Sequence, residues 1–397
     1  MSPASSMPAA ALPLAGVRVL ELGQIAAGPF AASLLADLGA DVVKIERPDG
    51  GDGMRQWPPL AKGTGTDAAY SENFASVNRN KRSVALDLKN ADDIAVLKSL
   101  AANADILVEN YRPGVLPRLG LGYDDIKAVN PKLIYCSISG YGQTGPYATK
   151  GAFDVTVQGI AGMMSVTGEP GAPPVKCGVP IGDFCAGLYA GFSILAMLRT
   201  AEASGTGAHI DCSMLGSLLG VSALQTSEYF GTGTPPQRLG SAHPRNAPYQ
   251  AFAAADTYFV IAAGNDKLWH EVCAATGTAE LAYDPRFLTQ ADRARNQAAL
   301  VDILAPIFAQ RPAADWLAEM DRRQVPCGPI NDFADILADP HVAHMGLVQP
   351  LTLPNGAETR TIGFPVAIST LPPTKISPPP ALGADNDAVI ADWEEKR

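Results

Sequence analysis

The first half of the chain alternates short β-branched runs with Ala/Leu-rich or amphipathic ones. Strands are expected at Val17–Leu22, Asp41–Glu46, Ser83–Leu88, Asp105–Glu109 and Leu133–Ser139, with helices at Phe30–Leu38 and Asp92–Ala102 between them. This alternation predicts βαβ units around a mainly parallel sheet, an α/β fold. Gly39 closes the first helix, and the strand Asp41–Glu46 follows at once. A long helix is expected from Phe184 to Ala203, then a strand at His209–Cys212 and a second helix through Leu224. Its apolar run, Cys185–Leu198, is too short to span a bilayer and predicts a buried helix.

From Tyr229 to Tyr249 the composition shifts to Gly, Thr, Pro and Arg, which marks a linker and a functional loop. Beyond it, Tyr249–Phe252 and Tyr258–Ala263 read as a hairpin around Ala255-Asp256, followed by helices near Lys267–Ala275, Gln297–Ala309 and Ala313–Arg322. The tail from Met345 holds two strand-like pieces and a Pro-rich stretch suited to wrapping back over another domain or subunit. The expected division is therefore a tail at 1–13, a large Rossmann-like domain at 14–205, a linker at 206–247, a small α+β domain at 248–325 and a C-terminal return segment at 326–397.

Composition narrows the partners. With 397 residues, 47% of them hydrophobic and 18% charged, the chain has enough apolar surface for a large core and for two domains. A net charge of −10 argues against nucleic acid or an anionic membrane as partner, while leaving room for a local basic pocket. The six cysteines lack CxxC spacing, so neither a disulfide framework nor a zinc site is indicated, and a reducing cytoplasm is expected. His209, His270, His341 and His344 show no metal spacing either. The Ala/Pro/Ser-rich stretch Met1–Pro13 has neither a basic start nor an apolar core and reads as a flexible tail rather than a signal peptide.

The first strand-to-helix turn, Gly23-Gln-Ile-Ala-Ala-Gly28-Pro29, departs from GxGxxG, which argues against a dinucleotide held there as in a nicotinamide dehydrogenase. Asp183 follows Gly178-Val-Pro-Ile-Gly182 and adjoins the start of the long helix, where free N–H groups and the helix dipole favour a carboxylate anion. Locally that residue reads more often as a plain helix cap than as a nucleophile.

Several blocks, taken together, resemble the class III CoA-transferase family (formyl-CoA transferase/carnitine-CoA transferase type, the CaiB/BaiF superfamily). They are Gly28-Pro29, Leu35-Ala-Asp-Leu-Gly-Ala-Asp-Val-Val-Lys-Ile-Glu-Arg47, Asn80-Lys-Arg-Ser83, Val108-Glu-Asn-Tyr-Arg-Pro-Gly114, Ser139-Gly-Tyr-Gly142, Gly182-Asp183 and Val325-Pro-Cys-Gly-Pro-Ile-Asn331. The resemblance implies an interlocked homodimer with a Rossmann-like large domain and a small domain. It also implies that Asp183 is the catalytic carboxylate, passing through a mixed anhydride and an aspartyl-CoA thioester with acyl-CoA as substrate and no resident cofactor or metal. By matching positions, Arg47, Lys89 and Arg118 would contact phosphates, Asn110 and Tyr111 would line the pantetheine channel, and Gln24, Ile25, Ala27 and Leu86 would lie near the nucleotide or thiol end. Without the family, Arg47 and Lys89 read as solvated charges, and Lys81 and Arg82 as a structural pair.

Departures from the family bear on the substrate. The run Lys150-Gly-Ala-Phe153-Asp154 lacks the histidine that the superfamily's racemases place before an aspartate, which favours transfer over 2-methylacyl-CoA racemisation. Phe153 stands where the formyl-CoA branch has a tyrosine and Ala26 where it has a glutamine, so formate or oxalate chemistry is not expected. With Phe153 and Asp154 near the acyl end, His243 and Arg245 are expected either to bind a distal carboxylate or to brace their loop. The expected reaction moves CoA from succinyl-CoA or a similar dicarboxylyl-CoA to a small carboxylic or sulfinic-substituted acid, with transfer within one dicarboxylyl-CoA as the alternative.

Overall fold

The structure, a computed structural model, describes residues 12–63, 68–372 and 376–394. Residues 1–11 of the expected tail lie outside them. The chain divides into two units, one made of Met1–Met163, Cys177–Phe230 and Pro340–Arg397, the other of Met164–Lys176 and Gly231–Asp339.

The first unit is built on six parallel strands, β1 (Arg18–Leu22), β2 (Asp41–Glu46), β3 (Lys81–Ala85), β4 (Ile106–Glu109), β5 (Ile134–Ser139) and β6 (His209–Ser213). They lie side by side in the order β3-β2-β1-β4-β5-β6. The chain first adds strands to one side of β1 and then crosses to the other, so the gap between the C-terminal ends of β1 and β4 is the topological switch point where open α/β sheets take ligands. β4 and β5 are buried along their whole length, as expected for strands covered on both faces.

Helix α1 (Ala27–Asp37) covers one face and starts earlier than the sequence pattern suggests. Pro29 falls in its first turn, where a missing N–H costs nothing. The next helices relevant here are α2 (Asp154–Ile160), α3 (Ile181–Ser204) and α4 (Met214–Val221). Gly187 of α3 lies against α1: an added Cβ would come 2.8 Å from the Phe30 ring and 3.1 Å from the Ala27 carbonyl. Ala186, Ala190 and Ile194 extend this tight seam at helical spacing.

The expected burial of α3 holds for one stripe only. Leu188, Tyr189 and Phe192 are 53%, 40% and 73% exposed. The helix is apolar all round, while this chain supplies neighbours for only part of its circumference. By length and hydropathy α3 would also suffice to cross a bilayer; its small-residue seam against α1 is that of a core helix.

The second unit contains a three-stranded antiparallel sheet, Tyr249–Ala253, Tyr258–Ala262 and Cys327–Pro329, with the first two strands forming the expected hairpin. Helices Asp266–Thr276, Gln297–Phe308 and Ala313–Arg322 pack Trp269, Phe308 and Trp316 into its core. The two strand-like pieces of the tail form a hairpin, Val348–Thr352 with Glu358–Ile362, in the first unit. No disulfide occurs among the described residues.

Candidate active site

Asp183 lies at the third position of α3, inside its first turn, while Pro180 occupies the cap position without a side-chain hydrogen bond. The capping work falls to a different residue. Asp154, at the start of α2, accepts the Gly182 N–H at 2.8 Å and the Gln158 side-chain amide at 2.6 Å. Gln158 in turn accepts the Cys177 N–H at 2.9 Å. Relieved of capping, the Asp183 carboxylate makes no hydrogen bond or ion pair among the described residues and faces a cavity. Burial, together with the negative charge of Asp154, pushes its pKa up to about 6. The helix dipole acts in the opposite sense and favours the anion.

The cavity, about 380 Å³, opens at the switch point of the sheet. Gln24–Ala27 after β1 form one wall and Asn110–Pro113 after β4 the next. Ile138–Tyr141, Lys150 and Ala152–Asp154 form the opposite side, with Asp183 and Met214 between them. Among the described residues no histidine lines it.

The two loops at the switch point are joined by a side chain. Asn110 accepts the Gln24 N–H through Oδ1 and donates from Nδ2 to the Gln24 carbonyl, both at 2.8 Å. The Gln24 side chain donates to the Tyr111 hydroxyl at 3.4 Å. Gly28 is required for this approach, because a Cβ there would sit 3.1 Å from the Gly23 Cα and 3.4 Å from the Asn110 side chain. Behind Asn110, Glu109 accepts the Tyr111 N–H at 2.8 Å, and burial raises its pKa to about 7.

Beneath the first loop lies a buried charge cluster. Lys44 bridges Glu21 at 2.7 Å and Asp52 at 3.0 Å, and Lys81 meets the other Glu21 oxygen at 2.6 Å. Burial pulls Lys81 down to about 8; for Lys44, burial is outweighed by Glu21, Asp52 and Glu46, which hold it above the ordinary lysine range. Lys81 thus takes the structural role, as does Arg82, which pairs with Asp41 and Asp392 at the edge of the sheet.

Of the residues singled out in the sequence, the structure brings Gln24, Ile25, Ala27, Asn110, Tyr111, Phe153, Asp154 and Asp183 to one cavity. Phe153 stands at its mouth, 77% exposed. Arg47, Lys89 and Arg118 are exposed and do not line it, Arg47 donating to the Gly51 carbonyl at 2.9 Å. Leu86 is buried in the core on one face of the sheet. His243 and Arg245 belong to the second unit, where His243 Nδ1 accepts the Arg245 N–H at 3.1 Å and the ring packs against Tyr249. Burial and the neighbouring Arg245 lower the His243 pKa.

Two cations that the sequence reading passed over, Arg112 and Lys150, line the cavity, with the Lys150 ammonium 4.9 Å from the centre of the Tyr147 ring. Arg112 follows Tyr111 and Lys150 lies three residues before Phe153, yet a surface cation carries no local mark of the pocket it will face. Among the described residues no group of three or more His, Cys, Asp or Glu side chains is placed to hold a metal.

The chain matches the family model described as CoA-transferase family III over residues 14–386. It is 39% identical over 394 residues to the succinate–glutarate CoA-transferase of Agrobacterium fabrum, covering 98% of each chain. It is 40% identical over 332 residues to the acetyl-CoA:oxalate CoA-transferase of Acetobacter aceti, covering 83% of this chain and 84% of the relative. Among solved structures, a CaiB/BaiF family protein from Brucella suis superposes with a TM-score of 0.86 at 39% identity, covering 96% of this chain and 99% of the other.

Proposed function

The chain belongs to CoA-transferase family III, and from that membership we propose that it moves CoA from succinyl-CoA to a small dicarboxylic acid, with Asp183 as the carboxylate that changes partners. The observation that carries the reading is the placement of Asp183: in the first turn of a helix, free of capping duty, and facing a cavity at the switch point of a parallel sheet.

Asp183 attacks the thioester carbonyl and displaces the CoA thiolate, leaving a succinyl-aspartyl anhydride. The thiolate returns to the aspartyl carbonyl and expels succinate, which leaves an aspartyl-CoA thioester. The acceptor then runs the two steps backwards: its carboxylate attacks the aspartyl thioester carbonyl and expels the thiolate, giving an acceptor–aspartyl anhydride, and the thiolate attacks the acceptor's acyl carbonyl and expels the Asp183 carboxylate. Each step exchanges one acyl bond for another, so no electrons enter or leave and no resident cofactor is needed. A carboxylate with a raised pKa is the more nucleophilic for it, while still ionised at neutral pH.

In this reading Gln24, Ile25, Ala27, Asn110 and Tyr111 hold the pantetheine and thiol end, and Arg47, Lys89 and Arg118 meet the phosphates further out. Arg112 and Lys150 are the cations nearest the acyl end and suit the second carboxylate of succinate or the acceptor. Names of relatives at 35–40% identity that pair succinyl-CoA with glutarate, citramalate or mesaconate support this donor and class of acceptor. The relative named for transfer to oxalate places oxalate on the same test panel.

The apolar face left open on α3, continued by Leu219, Leu224 and Phe230, fits a second copy of the chain, as expected for a homodimer.

Incubation of the protein with succinyl-CoA and each of a panel of C2–C6 diacids tests the reading. Glutaryl-CoA or a similar product is expected with release of succinate, and hydroxylamine should trap the intermediate at Asp183. Failure to move CoA to any acid on the panel, or trapping at another residue, overturns it.

A further inference from the structure

Ile25 adopts φ 64°, a left-handed conformation that a β-branched side chain rarely tolerates. It lies in the middle of the loop that walls the cavity. The structure shows what keeps it there. The Ile25 N–H points between the two carboxylate oxygens of Asp52, at 3.2 and 3.1 Å. Asp52 is 2% exposed, and its charge is met by Lys44 at 3.0 Å.

The same cluster grips the loop on both sides of Ile25. Lys44 donates to the Gly23 carbonyl at 2.7 Å, and Lys81 donates to the Pro29 carbonyl at 2.8 Å, with Glu21 joining the two ammonium groups. Three points of the segment 23–29, which comprises the turn after β1 and the first residues of α1, are therefore set by buried charges from below: Gly23 O, Ile25 N and Pro29 O. The loop's outward groups are then left to Asn110 and the cavity.

We propose that Asp52 is a positioning residue for the transfer reaction: by accepting the Ile25 N–H it holds that residue in its left-handed conformation and so holds the Gln24–Ala27 wall in the shape that receives acyl-CoA. Asp52 touches neither substrate nor Asp183 in this role. It acts through Ile25. The plain alternative is that Asp52 only caps the turn Gly53–Gln56, whose Met54 N–H it also accepts at 2.9 Å.

A second-site test separates the two. Asp52→Ser keeps a good capping side chain for Met54 but is too short to reach Ile25. It is expected to raise KM for succinyl-CoA about tenfold while the acceptor KM changes less than about twofold. Adding Ile25→Gly, which enters the left-handed region without strain, should bring the succinyl-CoA KM back to within about threefold of the parent. A pure capping role predicts no recovery, since glycine at position 25 does nothing for the turn. If Asp52→Ser does not fold, Asp52→Thr takes its place, because it likewise keeps a short hydroxyl for the Met54 N–H and does not reach Ile25. An unchanged succinyl-CoA KM in the Asp52 variant, or no recovery in the double variant, overturns the role of Asp52.

The proposal rests on the assignment of this cavity to acyl-CoA, so Asp183→Ala is assayed beside it. Turnover by Asp183→Ala would sink the cavity assignment itself. Failure of Ile25→Gly to rescue, with Asp183→Ala inactive, removes only the part assigned to Asp52.

Discussion

The first unit holds two clusters of buried or half-buried charge within reach of one loop system, and they are built on opposite plans. Beneath residues 23–29, Glu21, Lys44, Asp52 and Lys81 alternate in sign, and each ammonium also finds a carbonyl. At the start of α3, the charge that shifts Asp183 is that of another carboxylate, Asp154, and among the described residues no cation forms an ion pair with it. Like signs left together in a partly desolvated place cost stability, whereas a satisfied alternating set holds backbone in position. The first arrangement suits a scaffold, the second the reacting group proposed for Asp183.

The comparison can be broken most directly at Asp183. Replacement by alanine should lower transfer by roughly a thousandfold or more, since the anhydride has no other carboxylate to form on, with far-UV circular dichroism unchanged. Residual turnover near the parent rate would place the chemistry elsewhere.

The scaffold cluster should answer with stability instead. Lys81→Met removes one ammonium from a fully buried set and strands part of the Glu21 charge, a loss of about 3–5 kcal/mol in urea unfolding. If Lys81→Met unfolded at the parent midpoint, the cluster would not be the brace described.

A finer test concerns the charge of Asp154. Asp183 must be ionised to attack, so kcat/KM should fall as pH drops through about 6. Asp154→Asn still offers an oxygen to the Gly182 N–H but removes the like charge, and the acid limb should move to lower pH. An unmoved limb would leave burial as the whole cause.

The smallest effect is one of sign. The folded pKa of Asp183 lies above the unfolded value of 3.8, so the native state binds the proton more tightly and stability falls as pH rises between those limits, about 3.8 to 6. Asp183→Asn should therefore melt a few degrees above the parent at pH 7, and the advantage should vanish near pH 4. A melting temperature below the parent's at pH 7 would mean that the anion is stabilised, not stressed.

Local pattern carried the framework well. The strand Asp41–Glu46 and helix Ala313–Arg322 lie where periodicity placed them, because alternation of apolar positions and capping residues is a property of neighbours in the chain. The starts of α1 and α3 were legible only to within a few residues, since Pro29 and Ile181 fit a first turn as well as they fit a loop. A carboxylate at the head of α3 was also plain from the sequence; its freedom from capping was not. That depends on Asp154, which lies 29 residues earlier and reaches Gly182 only because α2 packs beside α3.

The same limit applies to the rest of the site. Lys44 and Lys81 sit on separate strands with no local mark of the partners they will meet, and Asp52 follows two glycines. Their meeting requires β2 to lie between β1 and β3. Arg112 and Lys150 turn toward one cavity because β4 and β5 follow one another beyond the switch point. The sequence by itself determined the α/β alternation and the family, and it put forward one carboxylate, Asp183, for acyl transfer. Which side chains would neutralise, cap or leave that carboxylate alone was decided by strand order, because charges separated by tens of residues acquire partners only when the sheet assembles.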